Sequence, residues 1–124
     1  MDRILVIAWE EDFGNFLELA LERQGHGVVI AMDEDAGMEA IGSHLFDLVV
    51  LDTEMPGNGE RFLAWAEKQD GCPPMILLSD TDADEDRVGC GAIIGHVLKT
   101  DGFGKLLDKI EDAFSRQRQG ELWG

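Results

Sequence analysis

Short apolar runs alternate with longer segments of helical periodicity along the chain. The runs are rich in β-branched residues, and the segments between them repeat apolar positions every three or four residues. This alternation is typical of strands and helices arranged around a parallel sheet. The five runs are Ile4–Ala8, Val28–Ala31, Leu48–Leu51, Met75–Leu78, and Ile93 and Ile94 with Val97 and Leu98.

The segments between the runs differ in how clearly they predict a helix. Asp12–Gln24 carries an apolar stripe and is followed by two glycines, whereas Asp33–His44 begins with acids but contains glycine. Arg61–Gln69 and the segment from Phe103 onward are also predicted helices, and Asp82–Cys90 is the least helical of the set. Five strands and about five helices predict a flavodoxin-like, doubly wound α/β fold, which binds ligands at the carboxyl ends of its strands.

Length and charge narrow the class of protein. The 124 residues suit one domain, predicted as residues 1–114 with a polar tail or linker stub at 115–124. The net charge of -16 argues against direct binding to nucleic acid or to anionic membranes. Cys72 and Cys90 form no disulfide or zinc pattern, and neither a signal peptide nor a membrane span is indicated. We therefore expect a cytoplasmic domain with reduced thiols.

Polar side chains follow three of the predicted strands at the point where each strand ends. Asp52 follows the third run, Ser79 the fourth and Lys99 the fifth. Because the carboxyl ends of parallel strands meet at one edge of a sheet, we expect these side chains to share a cleft. A carboxylate that attacks phosphorus, with a hydroxyl and an ammonium to hold the transferred oxygens, suits phosphoryl transfer. Taken singly, the acid and the hydroxyl are equally typical of turns and helix caps.

The segment Asp47–Gly57 resembles the phospho-acceptor segment of bacterial response-regulator receiver domains, and the similarity extends from residue 3 to about residue 114. The resemblance implies that Asp52 accepts a phosphoryl group from a histidine kinase. It assigns the responding hydroxyl to Ser79 and the responding lysine to Lys99. It also implies a Mg²⁺ ion held by Asp52 and by the backbone carbonyl of Glu54.

The same resemblance implies a role in two-component signalling rather than metabolic catalysis. The expected chemistry is at most self-phosphorylation and dephosphorylation at Asp52, which would change the affinity of the domain for its partners. The expected partners are a histidine kinase or phosphotransfer protein, and an output domain or downstream protein. A homodimer is a further expectation.

The chain departs from the family pattern after its first strand. Receiver domains usually carry two adjacent acids there to hold the divalent cation, and the alignment places Ala8 and Trp9 in those positions. Glu10 is the nearest acid able to replace them as a metal ligand, although acids at this point also suit a helix N-terminus. His96 stands at the switch position, usually Tyr or Phe, and is alternatively an ordinary, partly exposed histidine.

Two further functions stay open on the sequence. The first is a pseudo-receiver, a protein-interaction module that keeps the fold but does not use Mg²⁺-dependent phosphorylation. The second is a small flavin or nucleotide carrier, which is disfavoured because acids, rather than a glycine-rich phosphate loop, follow the first strand.

Overall fold

Strands and helices alternate along the chain, as the apolar pattern predicts. The computed structural model describes residues 3–54, 57, 59–69, 73–80 and 93–118. Within them the order is β1 (Arg3–Ile7), α1 (Glu11–Arg23), β2 (Gly27–Ala31), α2 (Glu34–Ser43), β3 (Leu48–Asp52), α3 (Glu60–Glu67), β4 (Met75–Ser79), β5 (Ile93–Leu98) and α4 (Phe103–Arg118). A 3-10 turn, Lys99–Asp101, joins β5 to α4.

The described strands form one parallel sheet in the order β2-β1-β3-β4-β5. The order reverses between β1 and β3, so the carboxyl ends of these two central strands flank the point where ligands bind in doubly wound sheets. In the register, Ile7 lies beside Leu51 on β3 and beside Ala31 on β2. The backbone amide of Ala8 continues this pairing, donating to the Ala31 carbonyl at 2.9 Å. The flavodoxin-like fold is confirmed.

Side chains of the central strands alternate between two apolar cores. Ile4, Val6 and Ala8 pack on the side covered by α1 and α4, whereas Leu5 and Ile7 pack on the side covered by α2 and α3. Because β1, β3 and β4 are covered on both faces, they read in the sequence as continuous apolar runs rather than alternating ones.

The first helix ends where its sequence predicts. Arg23 is its last residue, and Gly25 follows with a φ of 94°. The amide of His26 donates to the carbonyl of Leu21, and that of Gly25 donates to the carbonyl of Glu22, which is the pair of bonds found in a Schellman C-cap. The helix therefore ends because Gly25 adopts a left-handed conformation.

The start of α3 is stabilised by a residue from another helix. Gly59, with a φ of 73°, occupies the N-cap position and has no side chain to accept a hydrogen bond. The buried carboxylate of Glu34, in the first turn of α2, instead accepts from the amide of Phe62 at 2.8 Å. Gly57 has a φ of 87°, which favours glycine, and a Cβ there would lie 2.7 Å from Glu34 Oε1 and would displace this carboxylate. An exposed ion pair, Arg61 with Asp35, joins the same two helix starts.

Predicted and observed boundaries agree to within one or two residues for most elements, the usual uncertainty of a helix end. The largest difference is at the last helix, where residues 115–118 of the predicted tail continue α4. The predicted segment Asp82–Cys90 lies outside the described residues. None of the helices in the described part of the chain combines the length and apolar character of a membrane span.

Candidate functional site

The carboxyl ends of β3, β4 and β5 carry the three predicted site residues. Asp52 is the last residue of β3 and Ser79 the last of β4, and both are fully buried. Lys99 follows β5 directly, as the first residue of the 3-10 turn. Asp52 lies beside Leu78 in the β3–β4 register, and Ser79 lies beside Leu98 in the β4–β5 register. Their strand-end placement is therefore as the sequence predicts.

Both oxygens of the Asp52 carboxylate have hydrogen-bond donors. Oδ2 accepts from the Lys99 Nζ at 2.7 Å, and Oδ1 accepts from the backbone amide of Glu54 at 2.9 Å. Charge-assisted bonds of this length are stronger than those between neutral groups. A carboxylate with no exposed surface is thus neutralised by one ammonium group and oriented by one amide.

Lys99 is enclosed on more than one side. Its side chain is 16% exposed, and its Nζ lies 5.0 Å from the ring centroid of Phe13 on α1. The Glu10 carboxylate lies 3.8 Å from the same nitrogen. An ammonium over an aromatic face is attracted by the ring quadrupole, and this attraction increases as the group loses water. The cation is therefore held by a carboxylate, by the face of a ring and, more distantly, by a second carboxylate.

Ser79 and His96 are directly linked. Ser79 Oγ and His96 Nε2 lie 2.7 Å apart, and the histidine tautomer sets which of them donates. His96 is half-buried on β5. The histidine at the predicted switch position is thus partly exposed and hydrogen-bonded to the site hydroxyl.

Known proteins resemble this chain in sequence and in fold. The response regulator ArlR of Staphylococcus aureus is 27% identical over 124 aligned positions, which cover 98% of this chain and 57% of that protein. Two solved structures have similar identity. The response regulator TrrA of Thermotoga maritima, in complex with Mg²⁺ and BeF, has a TM-score of 0.80 at 27% identity, covering 91% of this chain and 99% of that one. The HemR receiver domain of Leptospira biflexa, in its non-phosphorylated form, has a TM-score of 0.82 at 26% identity, covering 93% and 95%.

The chain is thus similar in sequence and in fold to response-regulator receiver domains. No protein-family profile matches it. The chain spans little more than half the length of the curated relative that it matches.

Contacts that the sequence did not predict connect the strand ends at this edge of the sheet. Thr53 donates from both its amide and its hydroxyl to the Leu78 carbonyl, at 2.8 and 2.7 Å. The carboxylate of Glu54 accepts from the amide of Asp80 at 2.8 Å. These bonds hold the segment after Asp52 against the end of β4. Polar residues after a strand are a weak signal for such contacts, because they occur in most turns.

The residues after β1 do not fit a divalent cation. Ala8 is 1% exposed within the apolar core, and Trp9 is 44% exposed. Neither side chain contains an oxygen atom. Mg²⁺ requires oxygen ligands in near-octahedral geometry. Within the described ranges no three His, Cys, Asp or Glu side chains are grouped so that they could hold a metal ion. The nearest replacement, Glu10, has its carboxylate near Lys99 instead.

Proposed function

We propose that this receiver domain is the signal-receiving module of a two-component response regulator, with Asp52 as its phosphoryl acceptor. The observation that carries the proposal is the buried Asp52 carboxylate at a strand end, 2.7 Å from Lys99 and beside the strand that ends in Ser79. A nucleophile, an ammonium and a hydroxyl at neighbouring strand ends form a set of groups suited to phosphoryl transfer.

In the proposed step, an Asp52 oxygen attacks the phosphorus of a phosphohistidine on a histidine kinase or phosphotransfer protein. The new P–O bond forms as the P–N bond breaks, and the imidazole nitrogen leaves with the electron pair. Lys99, already paired with this carboxylate, turns its ammonium toward the phosphoryl oxygens. Hydrolysis of the resulting acyl phosphate would return Asp52 to its starting state, so the domain is a phosphoryl carrier with at most self-phosphorylation and dephosphorylation activity.

The hydrogen bond between Ser79 and His96 offers a route from the acceptor to the surface. A phosphoryl oxygen on Asp52 competes for the Ser79 hydroxyl, and His96 then loses the partner that it has at 2.7 Å. Two positions of a half-buried histidine on β5 give two surfaces with different partner affinities, which is a population shift. The proposed receivers of this signal are an output domain, a downstream protein or a second copy of the chain in the cytoplasm.

The test is to incubate the domain with acetyl phosphate, or with a phosphorylated phosphotransfer protein, and to measure its intact mass. We expect a gain of one phosphoryl group that hydroxylamine removes and that Asp52→Asn abolishes. Asp47→Asn is a matched control, because Asp47 lies before β3, on the opposite edge of the sheet, where it accepts from the Arg3 amide. No gain in the wild-type domain, or an equal gain in Asp52→Asn, would refute the acceptor role.

A second candidate is the pseudo-receiver, favoured by Ala8 and Trp9 at the positions of the usual acidic pair. In that case the Asp52–Lys99 ion pair is permanent and the domain binds its partner through a fixed surface. Acetyl phosphate would then leave partner binding unchanged, whereas the first candidate requires a change that is absent in Asp52→Asn.

A further inference from the structure

The acceptor cleft already contains a cation of its own. Lys99 Nζ lies 2.7 Å from Asp52 Oδ2, and the Lys99 side chain is 16% exposed. The Phe13 ring and the Glu10 carboxylate lie at 5.0 and 3.8 Å from the same nitrogen. An ammonium that is largely shielded from water and surrounded by these groups is strongly localised. Its departure would leave the buried Asp52 carboxylate without a counter-charge.

The carboxylates near the cleft have other partners. Glu54 accepts from the Asp80 amide through its side chain and donates to Asp52 through its own amide. Glu10, the acid that the sequence offers as a displaced metal ligand, lies near Lys99. A divalent cation at Asp52 would therefore be repelled by the Lys99 ammonium on the same carboxylate, and it would find Ala8 and Trp9 where oxygen ligands are needed.

We infer that Lys99 is the resident cation of this receiver domain, and that the ground-state Asp52 site binds no divalent metal ion. Glu10 and Phe13 are positioning residues for the Lys99 ammonium, not metal ligands. The inference rests on the receiver assignment under the proposed function, and it holds for both candidates described there, since it concerns the domain before any phosphoryl group arrives.

The direct test is a titration of the wild-type domain with MgCl₂ into the millimolar range at constant ionic strength, followed by the amide chemical shifts of Asp52, Glu54 and Lys99. We expect no saturable shift at these amides. A saturable shift at Asp52 and Glu54 would overturn the inference. If Glu10→Gln then abolished that shift while Glu11→Gln kept it, Glu10 would be the displaced metal ligand.

A variant designed to bind Mg²⁺ provides a second test. Ala8→Asp combined with Trp9→Asp supplies two carboxylates, and Ala8→Asn combined with Trp9→Asn matches their size without the charge. We expect Mg²⁺ to shift the Asp52 amide and to raise the unfolding midpoint of the first double variant only. An equal Mg²⁺ response in both double variants would contradict the inference. If the double variants do not fold, Trp9→Asp alone, at a half-exposed position, replaces them, and the wild-type titration still decides.

Failure of this inference is separable from failure of the proposed function. A wild-type domain that is not phosphorylated and shows no Mg²⁺ shift supports the resident-cation inference and excludes the acceptor role. A wild-type domain that shows the saturable shift overturns the inference, whether or not its mass increases with acetyl phosphate.

Discussion

Replacing Lys99 with methionine should destabilise the domain by removing the charge that neutralises Asp52. Asp52 is fully buried and would keep only the Glu54 amide as a donor among its two described partners. Breaking a buried ion pair by removing one partner costs about 3–5 kcal/mol, and the partial exposure of Lys99 places this pair at the lower end, at about 3 kcal/mol. The measurement is urea denaturation at neutral pH.

Replacing Asp52 should reduce the free energy of unfolding by less than replacing Lys99. In Asp52→Asn, Lys99 keeps the Glu10 carboxylate and the Phe13 ring and is closer to solvent than Asp52, so we expect a loss of about 1 kcal/mol. The double variant, Asp52→Asn with Lys99→Met, should lose about 2 kcal/mol less unfolding free energy than the sum of the two single variants. Each single change leaves one charge unpaired, and the double variant has neither charge.

An exposed lysine provides the control for this cycle. Lys105 pairs with Asp101 at 3.6 Å with its side chain 65% exposed, so Lys105→Met should change the free energy of unfolding by no more than about 0.5 kcal/mol. A coupling energy near zero between positions 52 and 99, or equal costs for Lys99→Met and Lys105→Met, would refute a buried ion pair in solution.

Further predictions follow from contacts near the same edge of the sheet. Glu34→Ala should cost about 1–2 kcal/mol in urea denaturation and speed hydrogen exchange at the Phe62 amide, whereas Glu34→Gln keeps an acceptor and should cost less. Gly57→Ala should cost more than Gly25→Ala, because both have positive φ but only the former meets the Glu34 carboxylate; the difference should shrink in a Glu34→Ala background. Ser79→Ala should cost about 1 kcal/mol and shift the imidazole resonances of its histidine partner; unchanged resonances would show that the hydrogen bond is absent.

The sequence predicts the sheet well because buried parallel strands have a distinctive signature. Their apolar runs are continuous, and three of them end directly before Asp52, Ser79 and Lys99. Since strand direction and strand ends follow from that pattern, so does the gathering of these side chains at one edge. The end of α4 was harder to place, because the polar residues after Phe114 continue the helix without an apolar stripe to mark it.

The partners within the site were less predictable, because they depend on packing between distant segments. Acids at the start of α2 are already explained by the helix dipole. Nothing in the sequence therefore indicated that Glu34 accepts a hydrogen bond from an amide of α3. Phe13 belongs to the apolar stripe of α1, and only the tertiary fold, in which its ring stacks on Phe103 of α4, brings it near Lys99. Glu10 was predicted either as a displaced metal ligand or as an acid at a helix N-terminus, and its position near Lys99 depends on the tertiary fold.

The register of β1 also limits how a metal site could arise by mutation of this chain. Deleting one residue early in β1 would move the following acids one position closer to the sheet, but it would also turn the apolar side chains between the deletion and those acids to the opposite core. Ile7, which packs with Leu51 against α2 and α3, would then face α1. A deletion within β1 is therefore a poor route to an acidic pair, whereas substitution at Ala8 and Trp9 themselves keeps the register of the strand.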